Sequence, residues 1–402
     1  MAPASTRLPG WTAGVRRRRD GRAGRGGGGV LAALAALAVL LAACGQAASP
    51  VQDDDSTEVD ESAATTGEQE AEAAAAEGEQ SEDDTEAAVE PVLYVVATVA
   101  PVADLVAQVG GDRVSVDTLV PAGADAHTYE PRPSDVITLA GADAYLGIGL
   151  DLNGGALRMA EEHLPSGSPL FLLGESALGD EDLVFDHTHD HGHAHGGDDH
   201  GHSHGDDDHG HSHGDGDAGL GPNPHVWTSL ANARGLIRGI TAALTELDPG
   251  GASVYAANAD GFLDDLDDLD AAVRVAVETI PAAHRTLVTY HDAWTYFARD
   301  YGLDYATAVQ PADFSDPSAS EVRAVIDLVR ELRVPAVFGS QEFPTPVLEA
   351  IAEETGARYV DDLSDDVLPG QPGDPEHTYL ELMRRNARAI VEGLGGDPSA
   401  LG

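Results

Sequence analysis

The sequence predicts an α/β protein of two lobes, each a parallel sheet flanked by helices, joined by one long rigid helix. Three observations predict it. Short apolar runs rich in β-branched residues alternate with amphipathic stretches, as parallel βαβ units require. That alternation occurs twice, once before and once after a long helical segment. The whole chain has 402 residues, too many for one average domain and suited to two with tails.

The first series opens with Val92–Ala100, a continuous apolar run of the kind buried on both faces of a parallel sheet. Pro101 then starts a helix that stops at Gly110 and Gly111, in keeping with the preference for Pro at helix starts and Gly just past their ends. Strands follow at 114–120, 143–150 and 169–173, with a helix at 133–140. His163 falls on a helical stretch. Helical periodicity returns at 229–247, and after Asp248-Pro249-Gly250-Gly251 a helix covers about 253–280. Its apolar residues Phe262, Leu266, Leu269, Val273, Ala276 and Ile280 step by four and three along one stripe, and Asp264, Asp265, Asp267, Asp268 and Asp270 occupy the rest. The second series places strands at 286–290, 304–309, 336–340 and 357–360. Its helices fall at 293–301, 318–332, 344–355 and 376–394.

The beginning of the chain reads as a leader. Arg16–Arg19, Arg22 and Arg25 make a positive segment before the apolar run Val30–Ala43, which is short for a membrane span and right for a signal-peptide core. It ends in Leu41-Ala42-Ala43-Cys44, similar to the bacterial lipobox, in which the Cys thiol takes a diacylglycerol. Cys44 is the only cysteine, so no internal disulfide competes for it. The stretch 51–90 is acidic, contains no Arg and has almost no large apolar residues. It cannot bury enough surface to order itself and reads as a tether. The expected division is therefore a signal peptide over 1–43, an acidic tether over 44–91, a first lobe over 92–250, a linking helix over 251–280 and a second lobe over 281–402.

Acidic residues outnumber basic ones 70 to 22. A surface of that sign repels nucleic acid and anionic lipid and attracts cations. Of 17 histidines, eleven lie between residues 187 and 213. They are His187, His189, His191, His193, His195, His200, His202, His204, His209, His211 and His213, spaced by Gly, Asp and Ser within a low-complexity insert over 178–221. DHGHSHGD occurs at 199–206 and again at 208–215. Such a tract cannot form a core, but neutral imidazole is a good ligand for zinc, copper and nickel, so weak multi-site metal capture is expected.

Of the six remaining histidines, three sit in loops where ligands gather. His127 follows the second strand, in GADAHTYEP. His225 lies between the insert and the next helix, in NPHVW. His291 closes the strand at 286–290. Asp361 follows the strand RYV, with Asp362 beside it. Ligands of open α/β sheets bind outside the carboxyl ends of strands. His127, His225, His291 and Asp361 could thus meet in a cleft between lobes, two from each side, and three imidazoles with one carboxylate suit zinc. His163, His284 and His377 read as structural.

Four stretches carry a family resemblance: Pro101–Asp135, Asn223–Trp227, Asp248–Asn258 and Val288–Leu303. With them the chain resembles the zinc and manganese solute-binding lipoproteins of ABC transporters, a family that includes adhesin-like lipoproteins. The resemblance implies two lobes bridged by a rigid helix with metal between them, and ligands at His127, His225, His291 and Asp361. Manganese members carry a carboxylate at the position of His291, so imidazole there implies zinc. The His-rich insert lies where zinc members often have one. The implied protein is not an enzyme. It would be a monomer, lipid-anchored outside the cell, delivering Zn(II) to an ABC permease and ATPase, with no organic cofactor and no nucleic-acid partner. Other readings are the same role for manganese or iron, a zinc-storage or cell-adhesion protein, and a zinc hydrolase.

Overall fold

The computed structural model describes residues 90–185, 221–310, 317–341 and 346–402. The leader with Cys44, the tether and the eleven histidines of the insert lie outside the described residues. None of the described helices is long and apolar enough to cross a membrane.

The first lobe runs β1 (Leu93–Ala97), α1 (Ala100–Gly110), β2 (Val114–Thr118), α2 (Pro133–Gly141), β3 (Ala144–Gly147), α3 (Gly154–His163), β4 (Leu170–Leu172) and the short α4 (Leu173–Ser176). The chain then forms α5 (Leu230–Leu247) and α6 (Ala252–Glu278). The second lobe runs β5 (Thr286–His291), α7 (Thr295–Tyr301), β6 (Asp304–Gln310), α8 (Ala319–Leu332), β7 (Ala336–Ser340), α9 (Pro346–Thr355), β8 (Arg358–Leu363) and α10 (Tyr379–Gly393). Both sheets are four-stranded and wholly parallel, ordered β2-β1-β3-β4 and β6-β5-β7-β8. The repeated order means that each lobe reverses direction beside its first strand, which opens a crevice at the carboxyl ends of the strands.

Local chemistry sets several boundaries. The Ser229 side chain accepts from the Asn232 N–H and starts α5, Ser318 and Glu321 form a reciprocal box at the start of α8, and Thr378 accepts from the Glu381 N–H to start α10. Each relieves a helix-end donor that would otherwise lack a partner.

The apolar stripe of α6 is buried where the spacing requires, at Phe262, Leu266, Leu269, Val273 and Ala276, and Ile280, just past the end of the helix, is buried with them. Asp264, Asp265, Asp267 and Asp268 are exposed, while Asp270 is half-buried and accepts from Arg234, Arg274 and Tyr301. With 27 residues the helix is roughly 40 Å long. It packs on α1 and α5 of the first lobe and on α10 of the second. One continuous core therefore runs from Leu105 through Trp227 and Leu266 to Tyr379 and Phe338. The lobes are also stitched by hydrogen bonds: Tyr379 N–H donates to Asp104 Oδ2 of α1 at 2.8 Å, and Tyr379 Oη donates to the Trp227 carbonyl at 2.6 Å. A shared core resists wide hinge opening, because separating the lobes would expose it to water.

Two strands end elsewhere than their residue types suggest. The apolar run 143–150 is a strand only to Gly147, because Gly149, Leu150 and Asp151 all adopt positive φ, at 75°, 51° and 57°. Conversely, β8 does not stop at Val360 but continues through the exposed Asp361 and Asp362 to the buried Leu363.

Leu266 is fully buried on α6, so Leu266→Ala is expected to cost about 2–5 kcal/mol of stability. Urea unfolding of the metal-free protein measures this, and a loss below about 1 kcal/mol would contradict the role given to α6.

Candidate metal centre

Three histidines from separate parts of the chain converge. His127 stands in the loop between β2 and α2, His225 just ahead of α5, and His291 at the last position of β5. The His225 Nε2 lies 2.9 Å from His127 Nε2 and 2.9 Å from His291 Nε2. They form a potential metal-holding cluster whose donor atoms are mutually within 4.8 Å. A tetrahedral zinc with bonds of about 2.0–2.1 Å has ligand–ligand edges of roughly 3.3 Å, so small outward shifts would admit the ion.

The protonation of His225 follows from its neighbour. Asn223 Nδ2 donates to the Asp292 carbonyl at 2.8 Å, which turns Asn223 Oδ1 toward His225. That oxygen can only accept, so the His225 Nδ1, 3.0 Å away, carries the proton. Its Nε2 then presents a lone pair to the centre of the cluster. This is the usual device by which an outer hydrogen bond fixes the tautomer of a metal-ligating imidazole.

Burial keeps the rings neutral. It pulls His291 down to about 3, with the nearby His127 adding to the effect. It pulls His127 down to about 4 against the opposing influence of Asp125. His225 is held well below the ordinary range, first by burial and then by His291 and His127. Neutral imidazole is the metal-binding form. His225 and His291 are buried and His127 is half-buried, so the cluster meets solvent on the His127 side.

The carboxylate beside these rings is Asp365. Its Oδ2 lies 3.9 Å from His225 Nε2 and 3.8 Å from His291 Nε2, about half an ångström beyond a tetrahedral edge. Asp365 is buried, and its carbonyl accepts from Trp227 Nε1 at 2.8 Å. Asp361 is not in the cluster. It and Asp362 are exposed residues within β8, and Asp365 falls in the turn after the strand. Two consecutive aspartates look like a loop, which makes the strand seem to end at Val360. The buried Leu363, which restores the strand's inward pattern, was the missed signal. The other histidines have structural partners: His284 Nδ1 donates to the Leu394 carbonyl at 3.2 Å and His377 Nδ1 to the Pro369 carbonyl at 3.0 Å. His163 closes α3.

The family of zinc-uptake complex component A, periplasmic, matches residues 95–393. The chain belongs to this family. It is therefore a metal-binding, solute-binding transport protein and not an enzyme. It is 35% identical over 315 residues to the high-affinity zinc uptake system protein ZnuA of Paracoccus denitrificans, a match covering 75% of this chain and 92% of that one. It is 29% identical over 303 residues to the iron-binding protein YfeA of Yersinia pestis, covering 75% and 86%. It is 27% identical over 302 residues to the manganese-binding lipoprotein MntA of Halalkalibacterium halodurans, covering 75% and 88%. Among solved structures, the manganese-bound periplasmic metal binding protein from Candidatus Liberibacter asiaticus aligns with a TM-score of 0.61 at 25% identity, covering 75% of this chain and 99% of that one. The periplasmic zinc binding protein TroA from Treponema pallidum aligns at 0.62 with the same coverage. Its 24% identity shows shared fold alone. These relatives are named for different metals, and their names do not decide among them.

The depressed imidazoles make a prediction for the metal-free protein. An unfolded histidine titrates near 6.5, whereas His127 and His291 titrate near 4 and 3 when folded. Below about 6.5 the unfolded chain binds more protons, so stability is full above that pH and is lost as pH falls toward 4 and 3. Melts from pH 7.5 to 4.5 should show a decline that His291→Phe reduces. Equal slopes for both proteins would refute it.

Proposed function

We propose that the protein is a zinc receptor that holds one ion between its lobes on His127, His225, His291 and Asp365, and hands it to the permease of an ABC importer driven by an ATPase. The observation that carries this reading is the meeting of three imidazoles, kept neutral by burial, with one buried carboxylate. Imidazole suits zinc, whereas manganese prefers carboxylate, carbonyl and water oxygens. Four protein donors fill a tetrahedral shell and leave no open position for the activated water of a zinc hydrolase. Filling all four positions suits a carrier.

Lipid attachment at Cys44 would hold the receptor at the outer face of the membrane, with the acidic segment as its leash. The His-rich insert would raise the local concentration of zinc. Support for this comes from where its described ends lie. Phe185 pairs with Pro222 in an antiparallel bridge, and Asn223 N–H donates to the Val184 carbonyl at 2.8 Å. The fold thus closes under the insert at the Phe185–Pro222 bridge, one residue before Asn223, which contacts His225.

Elemental analysis with competition titration tests the site. Wild-type protein should keep one tight zinc that manganese does not displace. His225→Ala should lose it, and Asp365→Asn should weaken it by at least the tenfold or more seen when even supporting residues are removed. Asp361→Asn should leave affinity unchanged. Loss of tight zinc from Asp361→Asn but not from Asp365→Asn would reverse the ligand assignment. Preferential retention of manganese or iron would replace the cargo.

A further inference from the structure

We infer that Asn153 and Asn386, one in each lobe, are positioning residues that hold the His127 and Asp365 segments at the spacing a tetrahedral cation needs. The inference rests on the four-ligand reading above. Neither residue lies in the stretches that carry the family resemblance.

Asn153 is buried beneath the His127 loop. Its Nδ2 donates to the Ala126 carbonyl at 2.5 Å and to the Tyr129 carbonyl at 3.1 Å. These two carbonyls bracket His127. Its Oδ1 accepts from the Ala156 N–H at 2.6 Å and so starts α3. One amide thus ties the ligand loop to a helix end. Several of the loop's other bonds close on the loop itself, such as His127 N–H to Asp125 Oδ1 and Thr128 Oγ1 to Asp125 Oδ2, and these cannot fix its height above the lobe. The backbone that delivers Asn153 is unusual. Leu150 and Asp151 follow Gly149 through left-handed conformations that non-glycine residues keep only where their surroundings impose them.

Asn386 does the corresponding work in the second lobe. It is almost completely buried on α10. Its Oδ1 accepts from the Ser364 N–H at 2.9 Å, and its Nδ2 donates to the Ser364 carbonyl at 2.6 Å. Both backbone groups of the residue before Asp365 are thereby fixed, while Trp227 Nε1 holds the Asp365 carbonyl from the other side. The start of α10 is in turn bonded to Asp104 of the first lobe. The Asp365 turn is therefore referenced to both lobes.

The choice of side chain fits the task. An amide offers a donor and an acceptor on one planar group, carries no charge and does not titrate. A carboxylate in either place would bury a charge and could not donate to the backbone carbonyls, and an imidazole would change its bonding with pH. Asparagine holds the frame without entering the coordination chemistry.

The test separates holding from folding. Asn153→Ser keeps an oxygen that can start α3 but removes the donor to both carbonyls. Asn386→Asp keeps the acceptor for Ser364 N–H and removes the donor to its carbonyl. Each full-length variant is compared with wild type by thermal melt without metal, by competition titration of the tightest zinc, and by the visible absorption of the cobalt(II)-loaded protein. Four-coordinate cobalt absorbs far more strongly than six-coordinate. We expect folded proteins whose zinc affinity falls about 10–100-fold, with a weakened or shifted cobalt band. A lowered melt with wild-type affinity and wild-type cobalt spectrum would show a merely structural role and overturn the inference. Asn153→Ser decides the matter alone if Asn386→Asp does not fold. Wild-type protein without a single tight zinc, or His225→Ala that retains it, would instead overturn the four-ligand reading and this inference with it.

Discussion

Three imidazoles kept neutral by burial are gathered around one point, and the rest of the structure is arranged to hold them there. Three Nε2 atoms gather within a few ångströms around His225, in a place too dry to protonate them. Protonating the rings would place like charges side by side in a low dielectric, which burial disfavours. A divalent cation would instead draw the three nitrogens to a single positive centre. The energy that holds the rings together comes from elsewhere: the continuous core under α6, the helix-end bond between Asp104 and Tyr379, and the asparagine amides at 153, 223 and 386.

That division of labour explains the shared core. In a receptor whose lobes swing freely, ligands on opposite sides would part on opening and the site would be made only on closure. Here His127, His225, His291 and Asp365 adjoin segments of one continuous core, contributed by Ala126, Val226, Leu287 and Leu363, that also takes in the long helix. Release to a permease then calls for a local change, and the half-buried His127 loop is the part of the site with least burial around it. It is also the part that one amide ties down.

Much of this was legible in the residues. Parallel strands announce themselves as apolar runs, and the α6 stripe is fixed by its period, so the two-lobed α/β plan and the long helix were readable before any coordinates. His127, His225 and His291 were readable because each stands at or just past a strand end or before a helix, where ligands of such sheets collect. The closeness of Asp365 to the rings was not. Its position depends on where β8 stops, and strand ends are settled by pairing with a neighbour: Ser340 of β7 pairs with Leu363 across a register shift. No local property of YVDDLSDD reveals a shift imposed by another strand. Asn153 was hidden for a similar reason, since Gly149 and Leu150 end an apolar run that looks like continuing strand.

The same comparison shows why ligand type and ligand geometry divide between levels of structure. Which atoms can bind is a property of residue identity, and imidazole suits zinc, copper, iron and nickel better than it suits hard, oxygen-seeking cations. How well they bind depends on distances of half an ångström, such as the 3.8–3.9 Å from Asp365 to two rings against a tetrahedral edge near 3.3 Å. Those distances are set by backbone segments two and three residues wide, held by side chains that never touch the ion. Relatives with this fold are named for zinc, manganese and iron, so the fold itself does not choose the metal. The choice can then reside only in the donor set and in the supports that space it, and in this chain those supports are uncharged amides at buried positions.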